Sequence, residues 1–375
     1  MKVLDRYVAQ EIVSAVLFAL IAFLALFAFF DLINELPQVG RGGYQLQHAF
    51  LYVALGLPGY VYDLMPIAAL IGAIYALAQL GARSEFTIMR ASGLSTGMAG
   101  WMLAKVGIVF VLITFLFGEF IAPASSEMAE RWKLQAQGSN LSQQFRTGLW
   151  TKDLIREHGL SGKPVGSRFL NVKTVNPEGQ LQGVKLYEFD RDFHMTGVTT
   201  ADRADYQGHN VWRLANVAET TFSTRSPDIS ATVSTTHVPT KELVSEITPD
   251  ILSVLFADPD RMSAYGLATY INHLVENNQN TQRYEIAFWK KLIYPLAVMV
   301  MMALALPFAY LHFRAGGVSL KIFIGIMIGV SFQLLNSLFS HLGLLNTWPA
   351  FATAVLPSAT FLLVAIGSLL WVQRH

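Results

Sequence analysis

Residues 12–30 read IVSAVLFALIAFLALFAFF, an apolar run with no charged residue, bounded by Glu11 and Asp31. At about 1.5 Å of rise per helical residue, such a run crosses a hydrocarbon core of about 30 Å. Lys2 and Arg6 ahead of it resemble the basic start of a secretion signal. The run is long for one, however, and no small-x-small cleavage site precedes Asp31, so it reads as a retained anchor. Five more runs follow, Tyr52 to Ala82, Met98 to Ile121, Leu292 to Leu311, Ile322 to Ser340 and Pro349 to Val372. Between the third and the fourth lies a stretch of ordinary polarity, Ala122 to Lys291. The spacing therefore predicts a membrane α-helical protein of six spans, arranged three and three, around an inserted domain. The expected organisation is 1–121 for the first three spans, 122–291 for the insertion and 292–375 for the last three.

Composition supports lipid as the solvent. Of 375 residues 53% are apolar and 14% charged, where a soluble chain carries about 25% charged residues. A net charge of +1 leaves no basic stripe, so nucleic acid is not an expected partner. With no cysteine, disulfides, thiolate metal sites and cysteine nucleophiles are excluded. Lys2, Arg6, Arg83, Arg90, Lys105, Arg314, Lys321 and Arg374 fall at one set of span ends, whereas the opposite short loops hold only Arg41. The positive-inside tendency then places both termini in the cytoplasm and the insertion across the membrane, in the periplasm of a Gram-negative cell.

Within the insertion, residues 168–238 alternate in strand fashion between turn signals at Asn176-Pro177-Glu178-Gly179, Gly208-His209-Asn210 and Ser226-Pro227-Asp228. Strands at this spacing predict a sandwich or open barrel. Leu170 and Val172 share one face, and Trp212, Leu214 and Phe222 share another. Those faces suit a packed core. After Pro249 the pattern turns helical, with Leu267, Ile271 and Leu274 in phase, and a charged helix near Gln282 to Lys291 leads into the fourth span.

Catalytic signatures are missing from the sequence. Gly162-Lys163-Pro164 is the nearest approach to a phosphate loop, no HExxH occurs, Gly93-Leu94-Ser95-Thr96-Gly97 spells GxSxG but follows a helix signature and not the strand that a nucleophile elbow needs, and Glu157-His158 reads as a solvated loop. Two charges near spans stand out, because a charge at the bilayer centre costs at least about 2.5 kcal/mol. Asp63, between Pro58 and Pro66, fits a water-accessible helix break or a structural role. Glu119, just before Pro123, fits an interfacial residue whose carboxylate reaches for water.

The loop Arg83-Ser84-Glu85-Phe86-Thr87-Ile88-Met89-Arg90-Ala91-Ser92-Gly93 carries a helix signature over about 84–92. Ser84 can cap it, Glu85 and Arg90 suit its two dipole ends, and Gly93 suits its stop. Phe86, Met89 and Arg90 would then project together, fit to dock in another protein's groove or to rest on lipid headgroups.

At this loop the sequence resembles the LptF/LptG permease family, the membrane subunits of an ATP-driven lipopolysaccharide exporter of the bacterial inner membrane. The resemblance runs through Val3-Leu4-Asp5-Arg6-Tyr7, the Pro58 and Pro66 pair, Arg83-Ser84-Glu85, Ala91-Ser92-Gly93, Gly118-Glu119 and Ala122-Pro123. It continues through Gly148-Leu149-Trp150, Val211-Trp212-Arg213-Leu214, Arg283-Tyr284-Glu285, Trp289, Lys291 and Pro295. The opening motif and Gly148-Leu149-Trp150 are nearer the LptG branch, with the LptF branch as the alternative. The resemblance implies a periplasmic β-jellyroll, a partner LptF, two copies of the ATPase LptB and the partner LptC. It implies that ATP and Mg are held by LptB and that this chain holds no cofactor of its own. Arg83, Ser84, Glu85, Phe86, Met89 and Arg90 would form the helix coupled to the ATPase. The first and fifth spans would border the substrate gate, with Phe27, Phe30, Asp31, Leu64, Pro66, Leu335 and Leu338 at the cavity. The face of Leu170, Val172, Trp212, Leu214 and Phe222 would serve as a slide for lipid or a surface for LptC.

One departure stands out. Family members can carry lysines at the outer end of the first span to meet lipid phosphates, whereas here Asp31 and Glu35 lie at i, i+4. Two carboxylates repel phosphate, so they would face a bridging cation, a basic residue of a partner, or solvent. Arg41 is a weaker local candidate for phosphate.

A covered path is physically required for such cargo, since exposing one acyl chain of about a dozen carbons to water costs on the order of 10 kcal/mol. A membrane hydrolase and a passive scaffold remain as other function classes; the first predicts activity of the isolated chain, the second indifference to ATP turnover. The lysine and arginine asymmetry makes a direct prediction in this cysteine-free chain. Single cysteines at Tyr44, Thr87, Gly179 and Gly317, probed with an impermeant thiol reagent outside spheroplasts, should react at positions 44 and 179 only. Labelling at 87 would reverse the orientation.

Overall fold

The computed structural model describes residues 2–40, 42–137, 148–176, 179–223, 232–249, 251–252, 258–310, 317–346 and 348–374. Among the described residues, six helical paths are long and apolar enough to cross a membrane. Helix α1 (Lys2–Glu35) is followed by α2 (Leu46–Ala82), the short α3 (Glu85–Ala91) and α4 (Thr96–Leu116). At Pro123 the chain brings no N–H to the carbonyl of Glu119, yet the helix does not stop. It passes this point through one π turn, Phe117–Ile121, into α5 (Ala122–Gln137). The expected domain limit at Ala122 therefore falls inside a continuous helical path, which carries the third span well beyond its apolar part.

Helix α2 is the axis of the membrane half. Of its apolar window 83% is buried, against 22% for α1, 22% for the fifth span and 17% for the sixth. Glycines set the close crossings: a Cβ on Gly72 would stand 2.5 Å from the backbone N of Val16 in α1. On the fifth span, α10 (Val318–Leu345), Gly325 and Gly329 meet Ile74 and Ile67 of α2 in the same way, at 2.7 and 2.8 Å. Without a hydrophobic force between helices in lipid, small residues let backbones approach and dispersion hold them. The fourth span is α7 (Gln282–Ile293), a 3-10 turn at Tyr294–Leu296, α8 (Ala297–Ala305) and α9 (Pro307–Tyr310), and the sixth is α11 (Ala350–Arg374). Pro66 inside α2 offers no N–H to the preceding turn, and the hydroxyl of Tyr294 donates to one of that turn's carbonyls, Asp63 O, at 2.5 Å.

The inserted domain is one antiparallel sheet whose strands neighbour each other in sequence order: β1 (Leu149–His158), β2 (Ser161–Val175), β3 (Leu181–Asp190), β4 (Met195–Gly208), β5 (Val211–Ser223) and β6 (Thr232–Val244). This up-and-down sheet is the form the implied jellyroll takes here. Its inner face gathers Leu170, Val172, Leu186, Trp212, Leu214 and Val217, and the Trp212 indole N–H donates to Ile247 O at 2.7 Å. The β4–β5 hairpin turns on His209 and Asn210, both at positive φ as a two-residue type I′ turn requires. Gly179, at φ +81°, closes the β2–β3 turn. Ser226-Pro227-Asp228 lies outside the described residues. Glu157-His158 ends β1 and is not a loop.

Strict alternation fails at one point in β5. Asn216, at φ +53°, sits between the pairs Ala215↔Thr240 and Val217↔Val238 with the register kept on both sides. The left-handed backbone there shifts the alternation, so Val217 joins Trp212 and Leu214 in the core, whereas half-buried Phe222 is not part of it. The expectation that Phe222 shares their face is corrected accordingly.

Helix α6 (Ala264–Glu276) returns the chain toward the membrane and is gripped by the sheet at its far end. Lys152 of β1 donates to Asn277 O at 3.2 Å, and Arg156 pairs with Glu276 at 3.4 Å and with Glu246 at 3.0 Å. Asp153, 1% exposed, accepts from the Ser245 hydroxyl at 2.7 Å and faces Arg168 at 3.7 Å. Burial pushes the Asp153 carboxyl up, against the pull of Ser245 and Arg168. Burial also pushes the His273 imidazole down, and the nearby Glu246, Asp153 and Glu276 only partly offset it. Folding thus favours neutral His273, and as pH falls below the ordinary value of about 6.5 the unfolded chain gains a proton that the folded one refuses. Asp153 has the opposite sign and gains from acid. Stability in detergent should therefore fall less between pH 7 and pH 5 in His273→Gln than in the native chain. Equal pH slopes in the two melting series would contradict this.

Candidate functional site

Among the described residues, two of the surfaces that the membrane half leaves open match the expected site residues. The first is the outer side of α3. Ser84 precedes the helix at φ +57° with no side-chain cap, so it turns the chain and does not cap it as expected. The stop follows the expected chemistry, with Gly93 at φ +99° and its N–H bonded to Arg90 O. Phe86, 4% exposed, does not project outward: its ring meets Tyr310 edge-on at 5.2 Å, and Arg90 stacks over the same Tyr310 at 4.8 Å. Met89 also packs on the core. Glu85 accepts from the Tyr7 hydroxyl at 2.9 Å, and Lys105 pairs with Asp5 at 2.7 Å, so α1 braces both α3 and α4.

The face that α3 presents outward is consequently Thr87, Ile88 and Ala91, flanked by exposed Arg83, Ser84 and Arg90. Ile88 is 62% exposed. Sequence spacing could not choose between the two faces, since each holds apolar residues beside an arginine. The deciding residue, Tyr310, lies in the fourth span, far along the chain.

The second surface is the pair of walls on either side of α2. Along α1, Phe18, Ile21, Phe29 and Phe30 are exposed while Val8, Ile12, Val16 and Leu20 are buried. Along α10, Met327, Leu334 and Leu338 are exposed, whereas Leu335 packs on the core. Phe27 turns inward, its ring 5.0 Å from Tyr60. Leu64 and Pro66 are buried within the bundle, so they support the walls and do not line an open cavity of this chain. The exposed members of the expected gate set are Phe30 and Leu338, with Asp31 half-buried beside them.

Charges at the sheet-bearing end have partners within the chain. Glu35 is buried and pairs with Lys133 of α5 at 2.8 Å, while Lys133 also sits over the Tyr52 ring at 4.3 Å and Tyr52 donates to Glu130 at 3.0 Å. Asp31 faces the hydroxyl of Tyr60. Glu35 thus meets a cation of its own subunit, carried by α5, a helix that the hydropathy pattern assigns to the soluble insertion. Arg41 lies outside the described residues. Glu119 is not a free interfacial charge: its two carboxylate oxygens accept the backbone N–H of Ala264 at 2.7 Å and of Tyr265 at 3.2 Å. Asp63 keeps its side chain exposed on α2, close enough to Lys290, Lys291 and Arg261 to feel their charge.

Comparison with known proteins gives a single answer. The family model described as lipopolysaccharide export system permease LptF/LptG matches residues 6–371. The lipopolysaccharide export system permease protein LptG of Escherichia coli K12 is 32% identical over 376 residues, covering 98% of both chains. Its namesake in Haemophilus influenzae is 29% identical over 364 residues, covering 96% of both. The match takes in both open surfaces, all six helices and the sheet domain, and on that ground the chain belongs to the LptF/LptG family of permeases.

Proposed function

We propose that this chain is the LptG-type permease subunit of a lipopolysaccharide exporter in the bacterial inner membrane, with its sheet domain in the periplasm. The observation that carries the reading is the placement of α1 and α10 on opposite flanks of the buried α2, each with an apolar outer face that this chain leaves unpaired. A second, similar subunit of the LptF type facing these walls would enclose a cavity with apolar sides. Lipid then enters sideways from the outer leaflet and its acyl chains stay out of water throughout. Orientation rests on the basic residues at the α3 end, and the LptG assignment on the names of both relatives.

Work enters from the α3 end. ATP is hydrolysed by a separate LptB subunit seated on Thr87, Ile88 and Ala91, and this chain supplies no catalytic group of its own. Phe86 and Arg90, locked on Tyr310, pass movement of α3 to the fourth span, and the Tyr7–Glu85 and Lys105–Asp5 contacts pass it to α1 and α4. Closure of the ATPase narrows the cavity and drives lipid toward the sheet domain, where LptC receives it. The sheet's apolar inner face is filled by its own core, so Leu170, Val172, Trp212 and Leu214 shape the domain and do not themselves form an open slide.

Two substitutions separate docking from transmission in the purified, reconstituted complex. Ile88→Glu places a charge at the centre of the docking face and should lower ATPase co-purification about tenfold or more, as truncation of a buried interface anchor does. Phe86→Ala should leave the ATPase bound while reducing lipopolysaccharide released per ATP. Undiminished co-purification of the Ile88→Glu variant would overturn the docking assignment.

A further inference from the structure

The contacts of α6 form a mechanical path that the sequence did not suggest. At its N-terminus Glu119 accepts two backbone N–H groups, at 2.7 and 3.2 Å, across a separation of 145 and 146 positions in the chain. Ser263 caps the same end, its hydroxyl oxygen accepting from Gly266 at 3.0 Å, so the Glu119 carboxylate adds a tether between elements to a helix already capped locally. At its C-terminus α6 is held by β1 through Lys152 and Arg156. Along its side it lies on α7, with Tyr270 and Tyr284 rings 4.7 Å apart. Its 13 residues span about 20 Å, so one rigid element joins the third span to the sheet.

Position and backbone favour transmission at the Glu119 end. Glu119 sits in the single π turn of the third span, a local rearrangement that recurs at functional positions. Beside it Gly118 lets the Tyr62 ring of α2 press onto the turn, where a Cβ would stand 2.5 Å from that ring. The other end of the same helical path, α4, begins at Thr96, directly after α3 and its Gly93 stop. A displacement at the docking end of α4 therefore reaches Glu119 along one helix and passes to α6 through two charge-assisted hydrogen bonds.

We propose that α6 is a strut clamped to the third span by Glu119, which carries motion from the α3 end of α4 to the sheet domain. Glu119 is then a positioning residue for export. It touches no lipid, and its clamp stays closed through the cycle. The proposal rests on the exporter reading given above.

The test uses the full chain in its reconstituted complex, with ATPase activity and released lipopolysaccharide measured together. Absence of release from the native complex would count against the exporter reading itself. Given native release, Glu119→Ala should keep ATPase activity within about twofold while release per ATP falls about fivefold or more, the lower range of an ordinary coupling free energy. The chain has no cysteine, so Glu119→Cys with Ala264→Cys can be bridged by a short bismaleimide. The unbridged pair should be uncoupled, and bridging should restore release per ATP, a rescue that a merely destabilised fold would not show. Unchanged release per ATP in Glu119→Ala, a parallel fall of ATPase and release, or no rescue on bridging would each overturn the strut.

Discussion

The membrane half depends on how closely two helices approach α2. Lipid supplies no hydrophobic force to press helices together, so their association rests on dispersion at short range. Gly72 lets the backbone of α1 come within contact of α2, and Gly325 and Gly329 do the same for α10. These crossings leave the apolar stretch of α2 mostly enclosed and turn the other sides of α1 and α10 toward whatever lies beside the chain, while Tyr294 supplies a hydrogen bond to the turn before Pro66. A side chain at Gly72 would have to push the α1 backbone aside and its wall would shift with it, whereas at Gly325 or Gly329 it would press on the side chains of Ile74 and Ile67.

Charge is arranged under the same constraint. Near lipid an unpartnered charge is costly, and the described charges at the sheet-bearing end are drawn to partners within the chain: Glu35 to Lys133, Lys290 to Asp260, Glu119 to the start of α6. The consequence for cargo is plain. Asp31 and Glu35 are turned toward Tyr60 and Lys133, and the exposed wall of α1 is left to aromatic and aliphatic side chains. On the exporter reading proposed above, such a wall suits the hydrocarbon part of a lipid better than its phosphates.

Long periodic features were legible in the sequence. The spans showed as uncharged runs, the strands as alternation between turn residues, and the two-residue turn at His209 and Asn210 as local chemistry. What was not legible depended on partners distant in sequence. Phe86 and Ile88 lie on opposite faces of α3, each apolar and beside an arginine, and only Tyr310 of the fourth span decides that Phe86 turns inward. Strict alternation points Phe222 inward because nothing in the residue types of β5 announces the left-handed backbone at Asn216. Glu119 was read as a helix end because Pro123 ordinarily stops a helix, and the π turn that carries the chain past it has no simple local signature. Leu64 and Pro66 were placed at the cavity from family resemblance, and packing between helices sends them to the interior.

The central claim is that one side of α1 is a wall for lipid and the other is a seam on α2. A photo-crosslinking scan along α1 in the reconstituted, ATP-hydrolysing complex tests it most directly. Lipopolysaccharide should be captured with helical periodicity, at Phe18, Ile21, Phe29 and Phe30 and not at Ile12, Val16 and Leu20. Capture without that periodicity, or strongest at the buried positions, would contradict the account.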